Sequence, residues 1–396
     1  MDYQRQKKRN FVALLAVYFA ANAIFIMSPA INVMATEMFP GRSYASVLLV
    51  STISSLCMIP GSLIAGSLLN RLGFRKLAVI SMGGIAVAGA ACALTSSLTM
   101  IYVLRGIVGF CIGLGFPLQG TMSLQLFNDA ERPRALGWAT VSLAAGSVFY
   151  MIVSGMLADH SARYSFLFHL VILIPMIIVL IFLRQPTEEE IRSNSTEAPS
   201  LVPEHGKMPG YALFTALMFA LVFFAFYTVL LNMSSICAYE HIGGAAVAGA
   251  LLSIYCIGNM CGGFLFNPLS RKANKKVVTI GLILWIIGTA CIAFGHSVIF
   301  IVLGALISGT AVQTVWPGTV NSYSEYVPKD KQSMAVAIFV SGMNIGCFLT
   351  TYFIQWVMNV SGSDSPRVPV QYGFIIVLAA GVIWTVVESR RAARKA

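Results

Sequence analysis

Twelve apolar segments alternate with short polar stretches along this chain of 396 residues. Each is long enough to cross a bilayer as a helix, which takes about 20 apolar residues. The alternating pattern of a barrel strand is absent, and helices satisfy their own backbone hydrogen bonds in lipid. The pattern therefore predicts an all-α membrane protein, with spans at residues 11–35, 44–69, 77–96, 99–124, 135–158, 165–184, 210–236, 244–268, 277–295, 298–323, 333–358 and 371–388.

One long polar connection, residues 185–209, divides these spans six and six. It is rich in Pro, Ser and Glu and has no aromatic residue, which is typical of a flexible linker. We predict an N-terminal six-helix bundle over residues 1–184, a cytoplasmic linker over 185–209 and a C-terminal six-helix bundle over 210–396.

A short basic turn occurs once in each half. Residues 66–76 read GSLLNRLGFRK between two apolar spans, and a weaker copy follows Gly263. In both copies an Asn follows the Gly by four positions, Asn70 in the first and Asn267 in the second. The fourth and tenth spans also match in their opening Val-Leu and their late proline. Two matching halves in a membrane chain indicate a transporter with internal repeats.

Composition and charge support a membrane location. The chain is 57% hydrophobic and 10% charged, with a mean hydropathy of +0.80, whereas soluble domains carry about 25% charged residues. Its net charge of +11 would fit nucleic acid. However, all Lys and Arg residues except Arg42, Arg105, Arg163 and Arg367 fall on the side of the N-terminus. This asymmetry predicts that both termini are cytoplasmic, and lipid headgroups explain the charge without a nucleic-acid partner.

The chain resembles the major facilitator superfamily over nearly its full length. The family's first motif is Gly, then Asp, Arg, Gly and a basic pair; it is matched by Gly66, Arg71, Gly73, Arg75 and Lys76, with Asn70 in place of the Asp. A second motif, an Arg followed by spaced glycines, is matched by Arg105, Gly109 and Gly113. The resemblance implies two pseudo-symmetric six-helix bundles that expose a solute alternately to either side of the membrane.

The resemblance also implies a gating role for the basic turn. Its cations would hold carboxylates or a helix C-terminus on the cytoplasmic face, and Asp129 and Glu131 are the nearest acidic candidates. Asn70 removes one charge-assisted contact of that brace. The alternative is that Arg71, Arg75 and Lys76 only set the topology, although topology alone would not need the Gly66-x-x-x-Asn70 and Gly73 spacing.

Arg105 is the only Lys or Arg placed well inside a span. A lone cation at that depth costs at least about 2.5 kcal/mol unless it finds a partner or water. Three interpretations remain open: recognition of an anionic group on the solute, a structural bond to backbone carbonyls, or a relay coupled to protonation.

Other polar and aromatic residues near the middle of the spans are candidates for solute contact. The primary set is Asn22, Arg105, Tyr227, Gln313 and Trp316, and the secondary set is Gln119, Tyr150, Tyr255, Asn259 and Asn344. For each, the alternative is a hydrogen bond between helices, which contributes about 0.6 kcal/mol.

No Asp or Glu falls in the middle of a span, and no nucleophile, phosphate-loop or metal-ligand motif appears. We therefore expect no enzyme activity, cofactor or metal. We predict a monomeric secondary active transporter of the cytoplasmic membrane that moves a small organic solute, with an organic anion as one option and a proton or counter-solute as coupling partner. The alternatives are efflux of amphipathic compounds and a membrane sensor or scaffold that moves no solute.

Overall fold

The computed structural model describes residues 2–128, 131–185, 210–273, 276–328 and 331–395, and this part of the chain is almost entirely helical. Eleven of its helices are long and apolar enough to cross a membrane. One of them, Tyr44–Leu94, holds two of the predicted spans, so the all-helical prediction is confirmed.

The helices follow the predicted spans in order. We number them α1 to α12. In the first half, α1 is Asp2–Ala21, α2 and α3 are residues 44–72 and 74–91 of the continuous run Tyr44–Ala91, α4 is Leu98–Leu126, α5 is Arg132–Ala158, and α6 comprises Ala162–Leu167, the 3-10 turn Phe168–Ile172 and Leu173–Phe182. In the second half, α7 is Gly210–Tyr239, α8 is Ala245–Ala273, α9 is Val277–Phe294, α10 is Val298–Tyr326, α11 is Gln332–Ser361 and α12 is Val368–Lys395.

The first predicted span is not one regular helix. After α1 the chain turns at Asn22 and continues through the 3-10 helix Ala23–Met27, the short helix Ile31–Val33 and the π-helix Met34–Met38. Pro29 lies between these pieces, where its ring removes a backbone donor and so prevents a continuous α-helix.

A single glycine separates α2 from α3. Gly73 has φ 75° and ψ 170°, a conformation that side-chain-bearing residues rarely adopt. The backbone N–H of the next residue, Phe74, donates to Gln185 Oε1 at 2.8 Å, and a Cβ on Gly73 would collide with the same Gln185 side chain. The chain therefore bends at Gly73, and Gln185, three residues after the end of α6, caps the bend.

Two compact units make up the chain: unit 1 consists of Met1–Arg42 and Leu49–Ser200, and unit 2 of Ser43–Leu48 and Leu201–Ala396. The Tyr44 hydroxyl lies 2.8 Å from Ser235 Oγ of α7. This contact explains why the short segment Ser43–Leu48 belongs to unit 2. Apart from Gln185, the predicted linker 185–209 lies outside the described residues.

Glycines let the helices approach closely at matching places in the two units. In unit 1 a Cβ on Gly109 of α4 would collide with the Ser54 carbonyl of α2. In unit 2 a Cβ on Gly309 of α10 would collide with the Tyr255 carbonyl of α8. These glycine contacts pair α2 with α4 and α8 with α10, in the manner of small residues at membrane helix interfaces.

Candidate functional site

Arg105 on α4 is completely enclosed within unit 1. Its Nε donates to the Val50 carbonyl of α2 at 3.0 Å, and its Nη1 lies 3.2 Å from His169 Nε2 of α6. In return, its own carbonyl accepts a hydrogen bond from Ser54 Oγ at 2.8 Å. Arg105 thus joins α2, α4 and α6, which is the arrangement that the structural interpretation requires.

His169 supplies the acceptor for this arginine. A guanidinium can only donate, so Nε2 of His169 must be the unprotonated ring nitrogen. The other nitrogen, Nδ1, carries the proton and donates to the Phe166 carbonyl at 3.0 Å. Gly89 of α3 makes room for the ring, because a Cβ there would collide with it. His169 was not among the site residues predicted from the sequence.

The other candidates of unit 1 do not form one cluster. Asn22 Nδ2 donates to Ser147 Oγ of α5 at 2.7 Å, a bond between helices. Gln119 is half-buried and lines a small cavity bounded by α1, α3 and α4. Tyr150 is fully buried, and its hydroxyl has no hydrogen-bond partner in the described part of the chain. Its ring lies 5.4 Å from the ring of Phe19.

In unit 2, α8 carries two buried oxygens that lack a protein partner among the described residues. They are Tyr255 Oη and Asn259 Oδ1, four residues apart and so on one face of the helix. The Tyr255 ring stacks on the Phe226 ring of α7, with 4.5 Å between centroids and 22° between planes. Phe226 also lies 5.2 Å from the ring of Tyr227, another predicted site residue. Aromatic packing therefore links the Tyr255 and Tyr227 side chains.

The remaining candidates of unit 2 lie on α10 and α11. Trp316 is half-buried, with its ring 5.1 Å from Phe339 and 5.7 Å from Phe219. Gln313 is also half-buried and lies three residues before Trp316 on α10. Asn344 Nδ2 donates to the Val340 carbonyl of its own helix at 3.0 Å. The Asn344 donor is therefore used locally.

The basic turn lies at the surface of unit 1. Asn70, Arg71, Arg75 and Lys76 are exposed, and Gly66 is half-buried. The expected partner of these cations, Glu131, instead pairs with Lys7 of α1, with 2.8 Å between Nζ and Oε2. Asp129, the other expected partner, lies outside the described residues.

A buried ion pair in unit 2 was not foreseen from the sequence. Arg367, which is 2% exposed and precedes α12, makes a bidentate contact with Glu240 at the end of α7, with both N–O distances 2.5 Å. Its Nη1 also donates to the carbonyls of Ile292 and Gly295 at the end of α9. The available signal in the sequence was the position of Arg367, just before the last predicted span.

Unit 1 has a similar arginine, whose contacts go to a backbone carbonyl and a hydroxyl. Arg163, near the start of α6, donates to the Ala93 carbonyl at 2.7 Å and to Ser96 Oγ at 2.8 Å, at the end of α3. The two arginines therefore hold the same helix end in each half. Arg163 is exposed, whereas Arg367 is buried.

Within the described ranges, no three or more His, Cys, Asp or Glu side chains are grouped so that they could hold a metal ion.

Three relatives of known description match parts of the chain. A probable anion transporter of Arabidopsis thaliana is 25% identical over 36% of this chain, and a putative niacin/nicotinamide transporter, NiaP, of Bacillus subtilis is 25% identical over 37%. A multidrug efflux pump, LfrA, of Mycolicibacterium smegmatis is 26% identical over 70%. The matched regions span 32%, 38% and 51% of these relatives, about half of their length or less.

Solved structures resemble the fold over almost the whole chain. The nucleoside transporter NupG superimposes with a TM-score of 0.72 at 16% identity, covering 96% of this chain and 99% of NupG. A D-xylose-proton symporter superimposes with a TM-score of 0.71 at 16% identity, covering 94% of this chain and 96% of the symporter. At such identities the likeness concerns the fold alone. The family model of the Major Facilitator Superfamily matches residues 11–238 and 215–395. The chain is therefore a multi-pass membrane protein that belongs to the Major Facilitator Superfamily.

Proposed function

We propose that this protein is a secondary active transporter that moves a small organic solute across the cytoplasmic membrane by alternating access. Family membership supports the general class of transporter. The observation that carries the more specific proposal is the pair of unpartnered buried oxygens on α8, Tyr255 Oη and Asn259 Oδ1. A buried polar atom without a hydrogen bond is costly, so such atoms in a native protein indicate an additional partner.

The chemistry of this pair favours an uncharged solute with hydrogen-bond donors. Asn259 Oδ1 only accepts, and the Tyr255 hydroxyl accepts or donates. The stacked rings of Phe226 and Tyr255 beside them offer a flat apolar surface. A solute with a planar or apolar body and at least one N–H or O–H group fits both features. An amphipathic compound has the same two features, so the pair also fits a protein that exports such compounds from the cell.

An organic anion is the second candidate class, on one observation. Arg105 Nη2 is buried and has no hydrogen-bond partner within the described residues. A carboxylate would satisfy it with a charge-assisted bond. However, the guanidinium is enclosed and already holds the Val50 carbonyl and His169, so we rank this class below the uncharged solute.

We further propose a monomer with both termini in the cytoplasm, driven by a proton or a counter-solute. The basic residues near both termini support this orientation. No described Asp or Glu lies in the middle of a spanning helix, so a buried carboxylate is not our candidate for the coupling site. We propose that the two bundles, residues 1–184 and 210–396, are the bodies that move during transport.

The experiment is a ligand screen by thermal unfolding, followed by flux in proteoliposomes. The purified protein is screened with sugars, nucleosides, amino acids, carboxylates and lipophilic cations. A ligand at 100 times its Kd stabilises the protein by about 2.7 kcal/mol. We compare wild type with Asn259→Leu and Tyr255→Phe. The matched control is Tyr211→Phe, which removes a buried hydroxyl that donates to Ser322 Oγ at 2.8 Å.

We expect an uncharged ligand to stabilise wild type and the control, to lose its effect in the α8 variants, and to be transported. Stabilisation by carboxylates alone, lost in Arg105→Gln, would replace this solute class with organic anions. Binding without flux under any imposed gradient would refute transport and support a sensor.

A further inference from the structure

A small cavity in unit 2 is bounded by four helices, α7, α9, α10 and α12. Most of its wall is apolar and includes Met218, Phe219 and Leu282. Three polar side chains also line it, Thr215 of α7, Thr319 of α10 and Trp384 of α12. They come from three different helices and converge on one cavity, whose lining includes no residue of α8.

Two of these side chains have unsatisfied hydrogen-bonding atoms. Trp384 is 4% exposed and Thr319 is 1% exposed, and neither Trp384 Nε1 nor Thr319 Oγ1 has a hydrogen-bond partner in the part of the chain that the structure describes. A buried indole N–H usually finds an acceptor. The Trp384 ring is held in place by stacking on Phe214, with 5.8 Å between centroids and 21° between planes. The indole therefore has a packed neighbour that fixes its plane.

Thr215 adds a third group. Its hydroxyl donates to the carbonyls of Tyr211 and Ala212, both at 3.0 Å, and lies 2.8 Å from Tyr323 Oη. Since the Thr215 proton is directed to the carbonyls, Tyr323 donates to Thr215 Oγ1. A hydroxyl oxygen accepts two hydrogen bonds, so one lone pair of Thr215 Oγ1 is still available.

We propose that this cavity binds a single water molecule that bridges α7, α10 and α12. The cavity has room for about one water, and a buried water needs two to four polar partners. Trp384 Nε1–H donates to the water oxygen, and the two water protons go to Thr319 Oγ1 and Thr215 Oγ1. This arrangement satisfies both unpartnered atoms, and it gives the water three hydrogen bonds.

The water has a structural consequence. In this arrangement the water supplies a polar link between Trp384 of α12 and Thr319 of α10. Removing either partner leaves the water with only two hydrogen bonds, so the water binds less tightly and the remaining side chain loses its partner for part of the time. The two substitutions should therefore be coupled in their effect on stability.

The test combines structure determination with a double-substitution cycle on the full-length protein in detergent. The variants are Thr319→Val, Trp384→Phe and the double variant. Thr314→Val is the matched control, since Thr314 is equally buried on α10 but donates to the Thr310 carbonyl of its own helix at 2.9 Å. The indole N–H vibration of Trp384, isolated as the Raman difference between wild type and Trp384→Phe, reports its hydrogen bond directly.

We expect an ordered density peak within hydrogen-bond distance of Trp384 Nε1 and Thr319 Oγ1. Thr319→Val should lower Tm by about 2 °C, the effect of one lost hydrogen bond in a unit of this size, and should shift the indole band towards that of a free N–H. The double variant should lose less than the sum of the single losses, and the control should keep the wild-type band. An unbonded indole band in wild type, or a direct bond from Trp384 Nε1 to a protein carbonyl in an experimental structure, would overturn the proposal.

Discussion

The ion pair between Arg367 and Glu240 allows a stability prediction with a defined magnitude. Arg367 is 2% exposed and the Glu240 side chain is 17% exposed, so the charges are largely removed from water. Truncating one partner of a buried pair leaves the other charge uncompensated, which typically costs about 3–5 kcal/mol. Because Glu240 keeps some solvent contact, we expect the lower end of that range, about 3 kcal/mol, for Arg367→Met or Glu240→Leu.

The double variant distinguishes the pair from the packing. With both charges removed, no buried charge remains, and we expect a loss of only about 1 kcal/mol relative to wild type. The carbonyls of Ile292 and Gly295 lose a donor in Arg367→Met and in the double variant alike, so their contribution cancels in the coupling term.

The assay is equilibrium unfolding of the purified protein in mixed micelles, followed by tryptophan fluorescence. Arg163→Met is the matched control, because Arg163 caps the end of α3 from an exposed position through a backbone carbonyl and a hydroxyl. The free energy of unfolding of Arg163→Met should fall by no more than about 0.5 kcal/mol. If the two single losses simply add in the double variant, within about 0.5 kcal/mol, the charges do not interact as the geometry requires.

Two further predictions concern unit 1. Replacing His169 with Leu removes the acceptor of Arg105 and should destabilise the protein by about 1–3 kcal/mol. His169→Gln keeps an acceptor oxygen and should recover part of this loss in the same unfolding assay. Equal losses in both variants would contradict the acceptor role. Gly73→Ala should cost about 1–3 kcal/mol because of the positive φ and the collision with the capping side chain, while Gly120→Ala on α4, where a Cβ meets nothing within 4 Å, should be neutral or stabilising. A tolerated Gly73→Ala would show that the bend relaxes readily.

The sequence by itself determined the helices and the family. In a membrane the length and apolarity of each span decide its secondary structure, because only a helix satisfies its backbone without water. That constraint is local, so the spans at residues 44–69 and 77–96 were predictable, as was a turn between them within residues 66–76. The lone charge at Arg105 was recognisable for the same reason.

Only the tertiary structure decided which polar groups are already satisfied. Arg105 and His169, Arg367 and Glu240, and Glu131 and Lys7 are each separated by at least 64 residues along the chain. No local pattern specifies such pairs, because helix packing sets the rotation of each helix about its axis and so which side chains meet. The same packing leaves Tyr255 Oη and Asn259 Oδ1 without a protein partner, although the sequence ranked both in the secondary set of candidates. The sequence thus predicted which residues are candidates for solute contact. Which of them are the stronger candidates depended on distances that only the folded chain defines.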